Sequence, residues 1–375
     1  MDGQWIGKLE GEFEGTLRIE LEDRGEVLTG TAYLFYKPAH NLPGFRFHLR
    51  VPKVPPHNTR VNTWYLFGDG GVMTPEQRKI AEADLTARFG QLPIPAEFDV
   101  TFALEQEALK VSYDWNQDDQ EPVYLSRSDV SGASAYVGRA DLTSWGEFRQ
   151  WAVTQKPRNY IFRGQARPQK LASTFHRTWR SDLFTWVAED VRHLFGALME
   201  KLTYPLQLGN LEHNAAVWSI LQHHGYPTPM IDWTFSPFVA AYFAFANVAP
   251  DQGEPARIFI LDQLAWNARH GRQAFIVDAA PPQMVILESV PVANPRSGPQ
   301  QALSAVTNVA DVEAYIREME QEDGCSYLTV CDLPASERPQ IMRELELMGI
   351  TFGSLFPGID GVCRDMKDRL FRPPS

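Results

Sequence analysis

Early in the chain apolar and polar positions alternate: Leu17, Ile19 and Leu21 are separated by Arg18, Glu20 and Glu22. A period of two puts one set of side chains on a single face of a strand. The pattern returns at Phe45, Phe47, Leu49 and Val51 against Arg46, His48 and Arg50. It recurs at Phe98, Val100, Phe102 and Leu104, and at Leu109, Val111, Tyr113 and Trp115. Turn-forming groups divide these runs at Asp23-Arg24-Gly25, Leu42-Pro43-Gly44, Gly68-Asp69-Gly70-Gly71 and Asn116-Gln117-Asp118-Asp119. A helix is predicted after Thr74-Pro75-Glu76, where proline suits a first helical turn. Residues 1–125 therefore read as an antiparallel barrel or sandwich, each strand with one buried and one polar face. Gly7, Gly11, Gly15 and Gly30 are candidates for bulges or tight bends.

The grammar changes after Ser126–Ala140, a small and polar stretch that we assign, through residue 143, to a linker. Ser144 then precedes Trp145, with Glu147 three positions on, the signature of a capping box. Trp145, Phe148, Trp151 and Ala152 follow at helical spacing. Further helices are predicted over 184–202, 211–221, 237–246, 311–320 and 336–348. Strands are predicted ending at Ile231 and over 257–261, 275–277, 284–287 and 327–330. Helices mixed with short strands make residues 144–375 an α+β domain.

Composition narrows the class. Of the 375 residues, 44% are hydrophobic and 22% charged, the balance of a folded globular protein. The sequence has no apolar run of about 18 residues, and MDGQWIGKLEG lacks the regions of a signal peptide. The expectation is a cytoplasmic protein without membrane contact. Three cysteines, Cys325, Cys331 and Cys363, lack CxxC spacing, which argues against a disulfide framework or structural zinc. A net charge of −12 disfavours broad attraction to nucleic acid but leaves room for a local basic groove. Arg46, His48, Arg50, Lys53 and Arg60 gather such charge in the first domain; a solvated strand face accounts for them more simply than a phosphate surface.

Three segments carry candidate chemistry. In Tyr160-Ile161-Phe162-Arg163-Gly164-Gln165 an aromatic strand delivers an arginine whose rigid fork suits phosphate or carboxylate, beside a glycine that lets a ligand approach the backbone. In His223-His224-Gly225-Tyr226-Pro227 and Ile231-Asp232-Trp233-Thr234 a helix stops and a strand begins. It projects Asp232 and Thr234 to one side and Trp233 to the other. The bland reading makes Trp233 core and Asp232 a cap for the next helix. Adjacent histidines point apart on a helix, so His223 is expected in the cleft and not on a metal. The third segment, Asn294 to Gln301, is a polar loop with Arg296, Gln300 and Gln301.

Together, YIFRGQ, QHHGYPTPMIDWTFSPFVAAYFA, NPRSGPQQ and MGITFGSLFPGIDG resemble an FRG domain, named for its Phe-Arg-Gly motif, over roughly residues 144–366. That family is similar in layout to ADP-ribosyltransferase folds, in which three separated strands supply one NAD cleft. The resemblance implies that Arg163 grips a phosphate, Trp233 packs on nicotinamide, and Thr234 and Ser236 donate to its amide. It further implies Gln165, His223, Asp232, Arg296 and Gln300 as NAD-binding residues, with Gln301 meeting the ribose where such enzymes carry glutamate. An amide there supplies no full charge to a cationic sugar, a loss worth about 3–4 kcal/mol in comparable oxyanion sites. Glu288 is a possible substitute. On this resemblance the expected activity is ADP-ribosyl transfer or NAD hydrolysis by a toxin-like effector with a protein or nucleic-acid acceptor, the first domain sensing or binding a partner. The rival is a non-catalytic nucleotide- or nucleic-acid-binding module using the same cleft.

Overall fold

The computed structural model describes residues 1–11, 14–66, 94–114, 121–202, 205–208, 210–249, 252–271, 277–288 and 294–371. The turns expected at 68–71 and 116–119, the helix after Thr74 and most of the strand at 275–277 lie outside them.

Eight antiparallel strands close the first domain into a barrel: β1 (Gly3–Leu9), β2 (Gly15–Asp23), β3 (Val27–Tyr36), β4 (Gly44–Pro52), β5 (Asn58–Leu66), β6 (Glu97–Glu105), β7 (Ala108–Asp114) and β8 (Val123–Arg127). Each strand pairs with the next and β8 returns to β1, leaving no open edge. The alternating apolar set fills the interior: Leu17, Ile19, Leu21, Phe47, Leu49, Phe98, Val100, Phe102, Leu109 and Val111 share one cluster. Each such side chain contributes about 1.5–3 kcal/mol of burial. A cavity of only about 40 Å3 remains among them. Gly30 marks no bulge, since the β2–β3 register is continuous from Gly15 opposite Tyr36 to Asp23 opposite Leu28. A Cβ at Gly30 would lie 1.7 Å from the Glu20 carbonyl oxygen, so the residue is glycine because the two backbones approach there.

The second domain contains a six-stranded antiparallel sheet in the order β12-β13-β10-β9-β11-β14. Its strands are β9 (Tyr160–Gln165), β10 (Met230–Thr234), β11 (Ala256–Asp262), β12 (Met284–Leu287), β13 (Ala302–Thr307) and β14 (Leu328–Leu333). The helices used below are α1 (Trp145–Thr154), α2 (Arg192–Met199), α3 (Leu211–His223), α4 (Pro237–Phe245), α5 (Gln263–His270), α6 (Val312–Asp323), α7 (Arg338–Leu347), α8 (Phe352–Leu355) and α9 (Ile359–Leu370). Ile161, Ile231, Trp233, Phe259, Leu303 and Val330 form one face of the sheet with α5 and α6. On the other face Phe162, Ile258 and Ile260 pack against α4, while Met230, Val285 and Val306 pack against α3. The predicted helix over 184–202 is interrupted: a π turn, Trp186–Val191, joins a short helical turn to α2. Residues 128–143 lie along this domain, bridging Ala133 to Gln169 and Gly138 to Val330.

The outward face of β2 is covered, whereas the basic residues expected on a solvated strand face are exposed at His48, Arg50, Lys53 and Arg60 and buried at Arg46. Arg18, Glu20 and Glu22 are fully buried because the second domain covers them. Arg18 donates to the Ala280 carbonyl and stands 3.1 Å from the Glu20 carboxylate. Glu20 accepts from the Leu183 N–H, and Glu22 accepts from Arg180, the Ser181 N–H and the Asp182 N–H. Thr31 on β3 donates to Asp182, and Gln4 on β1 donates to the Asn308 carbonyl. Arg46 is buried under the Phe184 ring at 4.1 Å, Lys53 pairs with Asp23, and Arg60 pairs with Glu97 and Asp99. No helix among the described residues is long and apolar enough to cross a membrane.

Candidate functional site

The two central strands of the sheet barely touch. β9 and β10 share one register pair, Thr234 opposite Phe162. Arg163 is the next residue on β9, and its Nη1 donates 2.7 Å to the Asp232 carbonyl on β10. A side chain thus spans the strands where the ladder would have continued. Its Nε is sealed from solvent without a partner, although the residue as a whole remains partly open. Burial depresses the proton affinity of Arg163, against the opposing pull of Asp232.

A cleft of about 390 Å3 opens beside this junction, on the sheet face that carries α3 and α4. Arg163, His223, Asp232, Trp233, Thr234, Arg296 and Gln300 all line it, bringing together segments more than a hundred residues apart. Gln165 lines a neighbouring pocket instead. Ser236 and Gln301 line neither, and Glu288 is an exposed strand end paired with Arg158.

The individual placements sharpen the picture. Trp233 points away from Asp232 and Thr234 into the core with Ile231, Leu303 and Trp266, as the bland reading had it. The Thr234 hydroxyl donates to the Gln300 carbonyl and accepts from the Ser236 N–H. Ser236, and not Asp232, caps the next helix, accepting from the Val239 N–H. The Gln300 amide donates to the Leu355 carbonyl and ties α8 to the loop. Gln301 is exposed, in a left-handed conformation, with its carbonyl accepting from the Phe235 N–H. Gly164 does not serve ligand approach alone: a Cβ there would lie 1.9 Å from the Ala240 carbonyl oxygen, so it lets α4 lie directly on β9.

The charge balance of the cleft is positive. Arg296 lies over the Phe356 ring at 4.8 Å, and among the described residues neither it nor Arg163 has an ion-paired carboxylate. Among the described residues Asp232 is the single acidic one lining the cleft, and it accepts from the Gln222 amide, itself held by Thr228. Burial, then Arg296 and His224, lower the His223 pKa below its ordinary value and favour a neutral ring. Phe243 and Phe356, partly exposed and edge-to-face at 6.1 Å, supply an apolar wall. Sequence reading passed over Gln222, Phe243 and Phe356 as site residues. They lie within the quoted motif segments, but their place in the cleft depends on how the helices and loops pack.

These features define a two-domain protein: a closed β-barrel joined through a buried polar interface to an α+β domain with an arginine-lined cleft. Residues 158–253, within the second domain, match the family model of the FRG domain. The match spans β9, α3, β10 and α4; Arg296, Gln300 and Phe356 lie beyond it. No curated protein and no solved structure matches the chain.

Proposed function

We propose that the cleft binds a phosphate-bearing nucleotide, with NAD the first candidate, and that the protein acts as a nucleotide-binding module. The observation that carries this reading is the pairing of two arginines lacking carboxylate partners with an aromatic wall in one cavity of ligand size. Arginine forks hold phosphate through charge-assisted hydrogen bonds, and ring faces cover a flat base. Gln222 fixes Asp232, which stands ready to accept from a ribose hydroxyl.

A second reading, NAD cleavage or ADP-ribosyl transfer, draws support from Asp232, a carboxylate facing the same cavity as both arginines. In that scheme Asp232, and neither Gln300 nor Gln301, would stabilise the cationic sugar. Two measurements separate the readings. Calorimetry of the full chain with NAD is expected to give saturable binding that Arg296→Gln weakens about tenfold or more. Following nicotinamide release over hours then decides catalysis: turnover lost in Asp232→Asn supports cleavage, and binding without release supports the module.

A further inference from the structure

The end of β9 carries chemistry that the cleft leaves unused. Beyond Gly164 a second pocket, about 380 Å3 in volume, is lined by Arg163, Gln165, Arg167, Arg177, Asn247 and Gln252, and among the described residues by no acidic one. Among the described residues Arg163 is the one common to this pocket and the cleft.

The three arginines here are poorly compensated. Arg177 donates to the Lys170 and Ala172 carbonyls, and no described carboxylate pairs with it. Arg167 meets Glu254 at 3.6 Å, both side chains largely exposed, a contact that water screens and a ligand can displace. The charge of Arg177 adds to burial in disfavouring the charged form of Arg163. Asp232 and Glu254 offset this crowding only in part, and a bound anion relieves the rest. The amides act mostly as braces: Gln165 donates to the Gln169 carbonyl, and Gln252 to those of Ala166 and Glu254. They fix the pocket wall and leave the guanidinium groups as its recognition chemistry.

We propose that this pocket is a second anion site, taking a phosphate group, and that sharing Arg163 couples it to the cleft. A ligand bearing two separated phosphates would engage both. The proposal rests on the anion-binding reading of Arg163, while Arg167 and Arg177 belong to the second pocket alone.

Calorimetry with inorganic pyrophosphate on the full chain tests it. Two binding events per chain are expected. Arg167→Gln and Arg177→Gln should each weaken one event about tenfold or more and leave the other unchanged. Arg296→Gln should do the converse, and Arg163→Gln should weaken both. Arg167 is exposed, so its variant remains informative if loss of the Arg177 backbone contacts impairs folding. A single event, unchanged in Arg167→Gln and Arg177→Gln but lost in Arg296→Gln, overturns the second site and leaves the cleft reading standing. A single event that depends on Arg167 and not on Arg296 upholds the second site and removes the cleft reading. No binding by the wild type rejects both.

Discussion

At the scale of single residues, Gly164 separates packing from ligand approach most cleanly. Replacing it with alanine forces α4 off β9, because the contacts to Ala240 and Ala244 are backbone and cannot rotate away. Gly164→Ala is expected to cost about 1–3 kcal/mol of stability in urea denaturation. A cost near zero would mean that α4 yields without loss. The sequence made Arg163 visible as a strand-end arginine, but it did not make visible that its partner is a main-chain carbonyl. Trp233 was assignable to either face only up to a choice of which face is core. The difference between Gln300 and Gln301 is a single left-handed residue at the turn into β13, and no side-chain property signals it.

At the scale of elements, local rules succeeded where they were strong. Ser144 and Glu147 form the predicted capping box at the start of α1. Ser236 and Pro237 start α4 where proline and a capping hydroxyl predicted it. Ser236→Ala is expected to remove about 1 kcal/mol by thermal unfolding, with ligand binding unchanged because the hydroxyl is spent on the cap. A variant that kept its stability but lost nucleotide binding would return Ser236 to the site. β13 was not foreseen. Its positions Ala302, Ser304 and Ala305 are too small or polar to generate an apolar rhythm, yet they sit in the middle of a buried sheet. Without β13 the third wall of the cleft had no fixed place.

At the scale of the molecule, the interface between barrel and second domain was hidden because alternation reports which residues differ, not what covers them. Arg18, Glu20 and Glu22 look like an ordinary solvent face and are instead enclosed. Glu22→Ala leaves the buried Ser181 and Asp182 N–H groups without their acceptor, while Arg180 keeps Asp190, and is expected to destabilise the protein by about 2–4 kcal/mol. Chemical denaturation checks this, and a loss below about 1 kcal/mol would show that water enters the interface freely. The pH dependence has a defined sign. Burial pushes the Glu20 carboxyl up to about 8 from an ordinary 4.5, against the pull of Arg18. The native state therefore binds this proton more tightly than the unfolded chain. The contribution is fully present below about 4.5 and is lost as pH rises through about 8. Glu20→Gln, fixed in the neutral form, should gain on the wild type across that window in melting temperature. Curves that stay parallel across it would contradict the raised pKa.

The central claim is that Arg163 and Arg296, brought from distant parts of the chain, form one nucleotide cleft. Calorimetric titration of NAD into the wild type, Arg163→Gln and Arg296→Gln tests it most directly, with thermal melts confirming that each variant is folded. The account predicts saturable binding by the wild type and about tenfold or greater weakening in both variants. Equal affinity in all three folded proteins, or no binding by any, would contradict it.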